Sequence, residues 1–284
     1  MSSPLTEEVT GGAGKPSAAG GVLVLDFDGV ICDGFLECAL VTWNAHFQRP
    51  VREFGPEGLA QIPVSFLNRF RNARGHARHL GHFLVPVLAG DADLRTQREF
   101  NACYEALPIG EVEAFVDAVT RYRNSARNRY RARWVGYHHL YDGLLNVLTS
   151  ATGRWYVVTA KDRDSVLEIL AANGVHLEAS RVYGEQKDKS AALTDIARRE
   201  QLPAADVHFF DDNLPNVMAA RRDGYDARWA QWGFHTLEHA AEALRADVPS
   251  STLVAFPATA VDLVSLPLPR QPANTPWPTD RIPT

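Results

Sequence analysis

The chain has 284 residues, 45% of them hydrophobic and 22% charged, with a net charge of −5. That length allows one large domain or a core with a smaller companion, and the composition is that of a globular chain. The acidic balance argues against a general binder of nucleic acid or anionic membranes, no apolar run nears the roughly 20 residues of a membrane span, and the N-terminus lacks a hydrophobic signal core, so a cytoplasmic protein is expected.

Residues Met1–Gly20 are rich in Ser, Gly, Ala and Pro and read as a disordered tail. The next stretch, Gly21–Val30, is Gly-Val-Leu-Val-Leu-Asp-Phe-Asp-Gly-Val. Val22–Leu25 is a continuous apolar run, as in a strand covered on both faces of a parallel sheet. It ends in two carboxylates, Asp26 and Asp28, with Gly29 permitting a sharp turn. Alternation turns both acids one way and Phe27 the other. A calcium loop also begins Asp-x-Asp, with Glu37 at its twelfth position, but Val30 and Ile31 stand where an oxygen ligand and a glycine are required. A helix N-cap would explain one carboxylate and not two.

From Phe35 to Val135 the chain reads as helical. Leu36, Leu40, Trp43 and Phe47 form one stripe, Phe100, Cys103, Tyr104 and Leu107 a second, and Val112, Phe115, Val116, Val119 and Tyr122 a third. Pro63 and Pro86 break or open helices between them. Strands and helices then alternate. Strands are predicted at Trp155–Thr159, Arg181–Gly184, Val207–Phe210 and Ala227–Trp232, and helices at Asp164–Ala172, Ser190–Glu200 and His235–Leu244. Such alternation implies βαβ units and a parallel sheet. From Pro267 onward the chain is Pro-rich and reads as loose. Cys32, Cys38 and Cys103 have no metal-ligand spacing and form no even disulfide set, which suits a reducing compartment.

Parallel strands of one sheet put their ends on one edge. Asp26 and Asp28, Thr159, and Asp211 and Asp212 then converge there, with Lys187 and Lys189 just before a helix. Carboxylates can hold a hard cation, a hydroxyl and an ammonium can hold phosphate oxygens, and one carboxylate can attack phosphorus. That set suits Mg²⁺-assisted phosphoryl transfer.

Asp26-Phe27-Asp28-Gly29-Val30, Val157-Val158-Thr159, Lys189 and Phe210-Asp211-Asp212-Asn213 together resemble the four ordered motifs of the haloacid dehalogenase-like (HAD) hydrolases. The resemblance covers Gly21–Val30 and Gly136–Leu266, and the helical stretch lies where many such enzymes insert a cap. It implies an α/β fold: a Rossmann-like parallel-sheet core from residues 21–34 and 136–266, an all-helical cap at 35–135, and tails at 1–20 and 267–284. It also implies Mg²⁺-dependent hydrolysis of a small phosphorylated metabolite through an aspartyl-phosphate. On this resemblance Asp26 is the nucleophile and Asp28 the general acid, later base. Thr159 binds phosphate, and Lys189 steadies the charge on Asp26 and the phosphoryl group. The metal ligands are Asp26, the backbone carbonyl of Asp28, and Asp212. Asp211 stands where many members have Gly, which leaves the two neighbours in competition for the metal. Asn216 falls at the motif's later polar position.

Lys189 is favoured over Lys187 because it abuts the helix start, as the lysine of the resembled family does. In a chain whose only lysines are Lys15, Lys161, Lys187 and Lys189, each can be weighed singly. His138 and His139 are adjacent, so they diverge, and they read as structural. Arg69, Arg71, Arg74, His76, Arg78, His79 and His82 could receive an anionic substrate, but a solvated helix face is the better expectation. The same holds more strongly for Arg121–Arg133. Two other reactions are compatible with the resemblance. One is a phosphomutase; the other is hydrolysis of a carbon–halogen or carbon–phosphorus bond, although the dehalogenases lack the second motif-one Asp. A binding module that has lost catalysis would show a missing motif carboxylate.

Overall fold

The computed structural model describes residues 20–90, 94–150 and 154–264. The tails expected at Met1–Gly20 and Pro267–Thr284 lie outside the described residues, except for Gly20.

Eight strands are present among the described residues: β1 (Val22–Leu25), β2 (Cys32–Asp33), β3 (His139–Leu140), β4 (Trp155–Val158), β5 (Val182–Tyr183), β6 (Val207–Asp211), β7 (Asp226–Ala230) and β8 (Ser250–Ser251). Six of them form one sheet in the order β5-β4-β1-β6-β7-β8, parallel throughout. The chain is therefore an α/β protein with a Rossmann-like core. Between β2 and β3 run α1 (Phe35–His46), α2 (Pro56–Ala60), α3 (Val64–Arg74), α4 (Val85–Leu88), α5 (Gln97–Glu105), α6 (Ile109–Arg129) and α7 (Arg131–Gly136). The sheet-flanking helices are α8 (Leu144–Ser150), α9 (Arg163–Ala172), α10 (Ser190–Glu200), α11 (Leu214–Arg222), α12 (Leu237–Arg245) and α13 (Phe256–Val264).

The near-continuous apolar strands are explained by burial on both faces. Leu23, Leu25, Trp155, Val157 and Phe210 pack with Leu144 of α8, Val166 of α9 and Phe256 of α13. Val22, Val24, Tyr156, Val158 and Phe209 pack on the other face with Leu193 of α10, Val217 of α11 and Ala243 of α12. β2 and β3 pair antiparallel, Cys32 with Leu140 and Asp33 with His139, so the chain leaves for α1–α7 and returns at one point. Phe66, Phe70, Phe100, Phe115, Val119 and Trp134 of this helical segment are buried in the same apolar cluster as Leu23 and Leu25. Pro63 caps α3 and Pro86 sits in the first turn of α4, as the two breaks implied.

The strand predicted at Ala227–Trp232 begins one residue earlier and stops at Ala230. Helices α8, α11 and α13 and strand β8 were not anticipated. α11 opens with Pro215 in its first turn, where a missing N–H costs nothing. Cys32, Cys38 and Cys103 are free thiols. No described helix is long and apolar enough to cross a membrane.

Candidate active site

Sheet order creates the site. β1 lies between β4 and β6, and the register pairs Leu25 with Val157 on one side and Phe210 on the other. The next residue, Asp26, donates its N–H to the Phe210 carbonyl at 2.9 Å and thus stands level with Asp211. Thr159 follows directly on β4. Asp26, Asp28, Thr159, Lys189 and Asp212 all line one cleft at this edge.

The turn after β1 is drawn tight by the Phe27 carbonyl, which accepts from the N–H groups of Ile31 and Cys32 at 2.9 Å each. Gly29 has φ +93°, and a Cβ there would lie 1.9 Å from Asp212 Oδ2. Only glycine meets both demands, so the turn and the Asp212 carboxylate are packed as one unit.

Lys189, just ahead of α10, puts its Nζ 3.0 Å from Asp26 Oδ1 and 2.7 Å from Asp211 Oδ2. Burial alone would lower its pKa; Asp211 and Asp26 outweigh that and raise it, so the ammonium is firmly charged. Lys187 lines the cleft but carries neither contact. Asp211 is fully occupied: besides Lys189, it accepts from the Asn213 N–H at 2.8 Å and the Asn216 amide at 2.9 Å. Asp212 accepts from the Phe234 N–H at 2.6 Å, and the Arg74 charge favours its ionised form. Burial and then the neighbouring Asp211 and Asp26 charges push its pKa well up. Burial likewise raises Asp26 to about 6, against the pull of Lys189. One ligand oxygen from each of Asp26, Asp211 and Asp212 lies within 4.8 Å of the others. An oxygen-only cluster with more buried carboxylate than cation suits a hard divalent cation, so these residues fit Mg²⁺. Within it, Asp26 and Asp212 have oxygens to spare and Asp211 does not.

Asp28 faces a different partner. Lys161 Nζ lies 3.4 Å from Asp28 Oδ2. Burial would raise the pKa of Asp28, but Lys161, Arg74 and His138 together hold it below the ordinary value. Thr159 Oγ1 accepts from the Lys161 N–H at 3.3 Å, which links the two residues of this loop.

Behind Asp28 sits a buried ion pair that the sequence reading missed. Glu37 of α1 is wholly buried and takes a two-pronged contact from Arg123 of α6, at 2.7 and 3.1 Å. Trp134 Nε1 donates to the same carboxylate at 3.2 Å. The basic stretches were expected to be solvated, and Arg71, Arg78, Arg121, Arg129, Arg131 and Arg133 are indeed exposed, but a few members depart from that expectation. Arg123 is 13% exposed in this pair, and Arg74 and Arg78 line the cleft with it. Arg71 is exposed and lies over the Phe35 ring, 4.0 Å from its centroid. His76 and His82 are buried too. A contact 86 residues apart leaves no periodic trace, so Glu37–Arg123 was not readable. Lys161 did carry a signal, as one of four lysines in an arginine-rich chain. His138 is buried, its Nδ1 2.9 Å from the Trp134 carbonyl, while His139 is exposed.

Residues 21–224 match the family model described as haloacid dehalogenase-like hydrolase. The chain belongs to this family. The HAD-like hydrolase matches no curated protein. Among solved structures it is similar to a provisionally named phosphoglycolate phosphatase from Lactobacillus delbrueckii subsp. bulgaricus, with TM-score 0.62 and 13% identity over 87% of this chain and 99% of that one. It is also similar to a predicted phosphoglycolate phosphatase from Haemophilus somnus, with TM-score 0.55 and 17% identity over 84% and 97% of the two chains. A haloacid dehalogenase-like family protein from Streptococcus pneumoniae gives 0.53 and 15% over 85% and 98%. At these identities the likeness is one of fold.

Proposed function

We propose that this HAD-like hydrolase is a Mg²⁺-dependent phosphatase that cleaves a small phosphorylated metabolite through a phosphoryl group carried on Asp26. The observation that carries the reading is Lys189, whose ammonium bridges Asp26 and Asp211 while Asp212 keeps its Oδ1 for a metal. Asp26, Asp212 and the Asp28 backbone carbonyl would hold the metal. Bound there, Mg²⁺ neutralises charge on the phosphoryl oxygens and on Asp26.

Asp26 attacks phosphorus and its new O–P bond replaces the ester bond, whose electrons leave with the alkoxide. Asp28 gives that alkoxide a proton. Since Asp28 is held ionised in the free protein, it takes up this proton as the anionic phosphate enters beside it. Water, deprotonated by Asp28, then attacks phosphorus and restores the Asp26 carboxylate. Lys189 holds Asp26 in place, and the Thr159 hydroxyl meets a phosphate oxygen. Helices α1–α7 serve as a cap, and they supply Arg74, Arg78 and Arg123 to the cleft. With Lys161, Lys187 and Lys189 these outnumber Asp26, Asp28 and Asp212, which favours a compact anionic substrate. The names of two structural neighbours, one provisionally named and one predicted to be a phosphoglycolate phosphatase, agree with such a substrate.

The test is release of inorganic phosphate by the purified protein from a panel of phosphorylated metabolites, with and without Mg²⁺. The expected result is metal-dependent turnover of small, doubly anionic esters. Transfer of phosphate between positions of a sugar, with little released, would replace hydrolysis by mutase chemistry.

A further inference from the structure

Two histidines sit buried at the seam between the helical segment and the sheet core. His76 follows α3 and is fully shielded from solvent, and His239 in the first turn of α12 is 1% exposed. Their rings meet edge to face with centroids 5.6 Å apart, and the far side of His76 stacks on Phe100 at 5.4 Å. Neither nitrogen of either ring has a hydrogen-bond partner among the described residues. The Gln97 side chain and the Leu94 backbone approach His76 without adequate geometry. An imidazole needs at least one donor contact and one acceptor contact, and leaving them unmade in the interior is costly. Two adjacent rings in that state offer their nitrogens to a ligand.

Glu238 completes the set. It is half-buried, and one of its oxygens accepts from the Gln97 N–H at 2.7 Å. One ligand atom each from His76, Glu238 and His239 lies within 4.8 Å of the other two. Two imidazoles and a carboxylate form a donor set of borderline softness that suits Zn²⁺ or a similar transition ion, and does not suit Mg²⁺. A surface cavity lined by His76, Leu94, His235 and Thr236 opens beside the cluster and gives an ion and its water a way in.

We propose that His76, Glu238 and His239 form a second metal centre, for a borderline divalent transition ion such as Zn²⁺, separate from the Asp26–Asp211–Asp212 cluster. It ties the helical segment, through His76, to α12 of the core. His76 is two residues beyond Arg74, which lines the cleft, so the ion also fixes the segment that presents this arginine. The proposal stands or falls independently of the phosphatase reading.

The experiment uses the full chain without any affinity tag, stripped with a chelator, saturated with Mg²⁺ and titrated with Co²⁺. One equivalent of Co²⁺ should give a visible ligand-field absorption that Zn²⁺ displaces. Asp212→Asn should keep that absorption, whereas His76→Ala and His239→Ala should lose it. Glu238→Gln is a milder change at a half-buried site and should weaken Co²⁺ by roughly tenfold or more, since even outer-sphere partners are worth about 10–100-fold. This variant decides the matter if the histidine variants do not fold. No absorption in the wild type would overturn the proposal. So would an absorption that survives Glu238→Gln at full affinity, or one that disappears with Asp212→Asn.

Discussion

Lys161 holds its ammonium 3.4 Å from the Asp28 carboxylate, with the two side chains only 2% and 17% exposed. A cation this close and this dry favours the ionised form of Asp28, so in the proposed mechanism the proton that Asp28 would donate depends on Lys161 as well as on the substrate.

Lys161→Met should therefore raise the pKa of Asp28. An acid is lost as pH rises through its pKa, so the alkaline limb of kcat for an alkyl phosphate should move to higher pH. The rate at neutral pH should fall by less than the roughly 10²–10⁴-fold expected for Asp28→Asn. Aryl phosphates, whose leaving groups need no proton, should lose least. An alkaline limb that stays in place would remove Lys161 from this role.

Asp211 and Asp212 should separate cleanly. Asp211 is bonded to Lys189, Asn213 and Asn216, so Asp211→Asn leaves a buried ammonium short of charge. A loss of about 3–5 kcal/mol in stability is expected, measured by denaturant unfolding. Asp212→Asn should leave the fold intact and raise the Mg²⁺ concentration needed for half-maximal activity. The reverse pattern would exchange the two assignments.

Glu37→Gln should destabilise the protein by about 3–5 kcal/mol, because it strands the Arg123 guanidinium. Burial would raise the pKa of Glu37, yet Arg123 and then Lys161 and His138 hold it far below the ordinary 4.5. A carboxylate with a depressed folded-state pKa stabilises above its unfolded value and loses that contribution as pH falls below it. The wild type should thus lose stability on acidification below about 4.5, and Glu37→Gln should lose less over the same range. Parallel pH curves for the two proteins would contradict the ion-pair account.

Arg74→Ala should raise KM more than it lowers kcat, as for a group that binds substrate and transition state alike. Arg71→Ala should change neither, because Arg71 points to solvent over Phe35. Steady-state kinetics on the best substrate from the panel will distinguish them.

The part of the site that was legible in sequence is the part built from strand ends. Asp26, Thr159 and Asp211–Asp212 each close an apolar run, and parallel pairing alone brings such ends together. Lys189 was legible through the resemblance, because like the family's lysine it directly precedes a helix, here Ser190–Glu200. The cleft's second wall was not legible. Arg74 and Arg123, and the buried Glu37 that Arg123 pairs with, come from three helices whose mutual packing is tertiary, and basic residues on amphipathic helices look the same whether they face water or a cleft. The two-residue strands β2, β3 and β8 are too short to show alternation.

In the proposed mechanism Asp26 carries the phosphoryl group, and the decisive experiment is to catch it there. Asp28→Asn should let the intermediate accumulate, because its hydrolysis lacks a base. The variant is given an aryl phosphate and Mg²⁺, quenched, reduced with borohydride and mapped by peptide mass. An acyl-phosphate is reduced to an alcohol, so residue 26 alone should appear as homoserine, in an amount approaching one per chain. An unmodified Asp26 during continuing turnover, or reduction at a different carboxylate, would contradict the account.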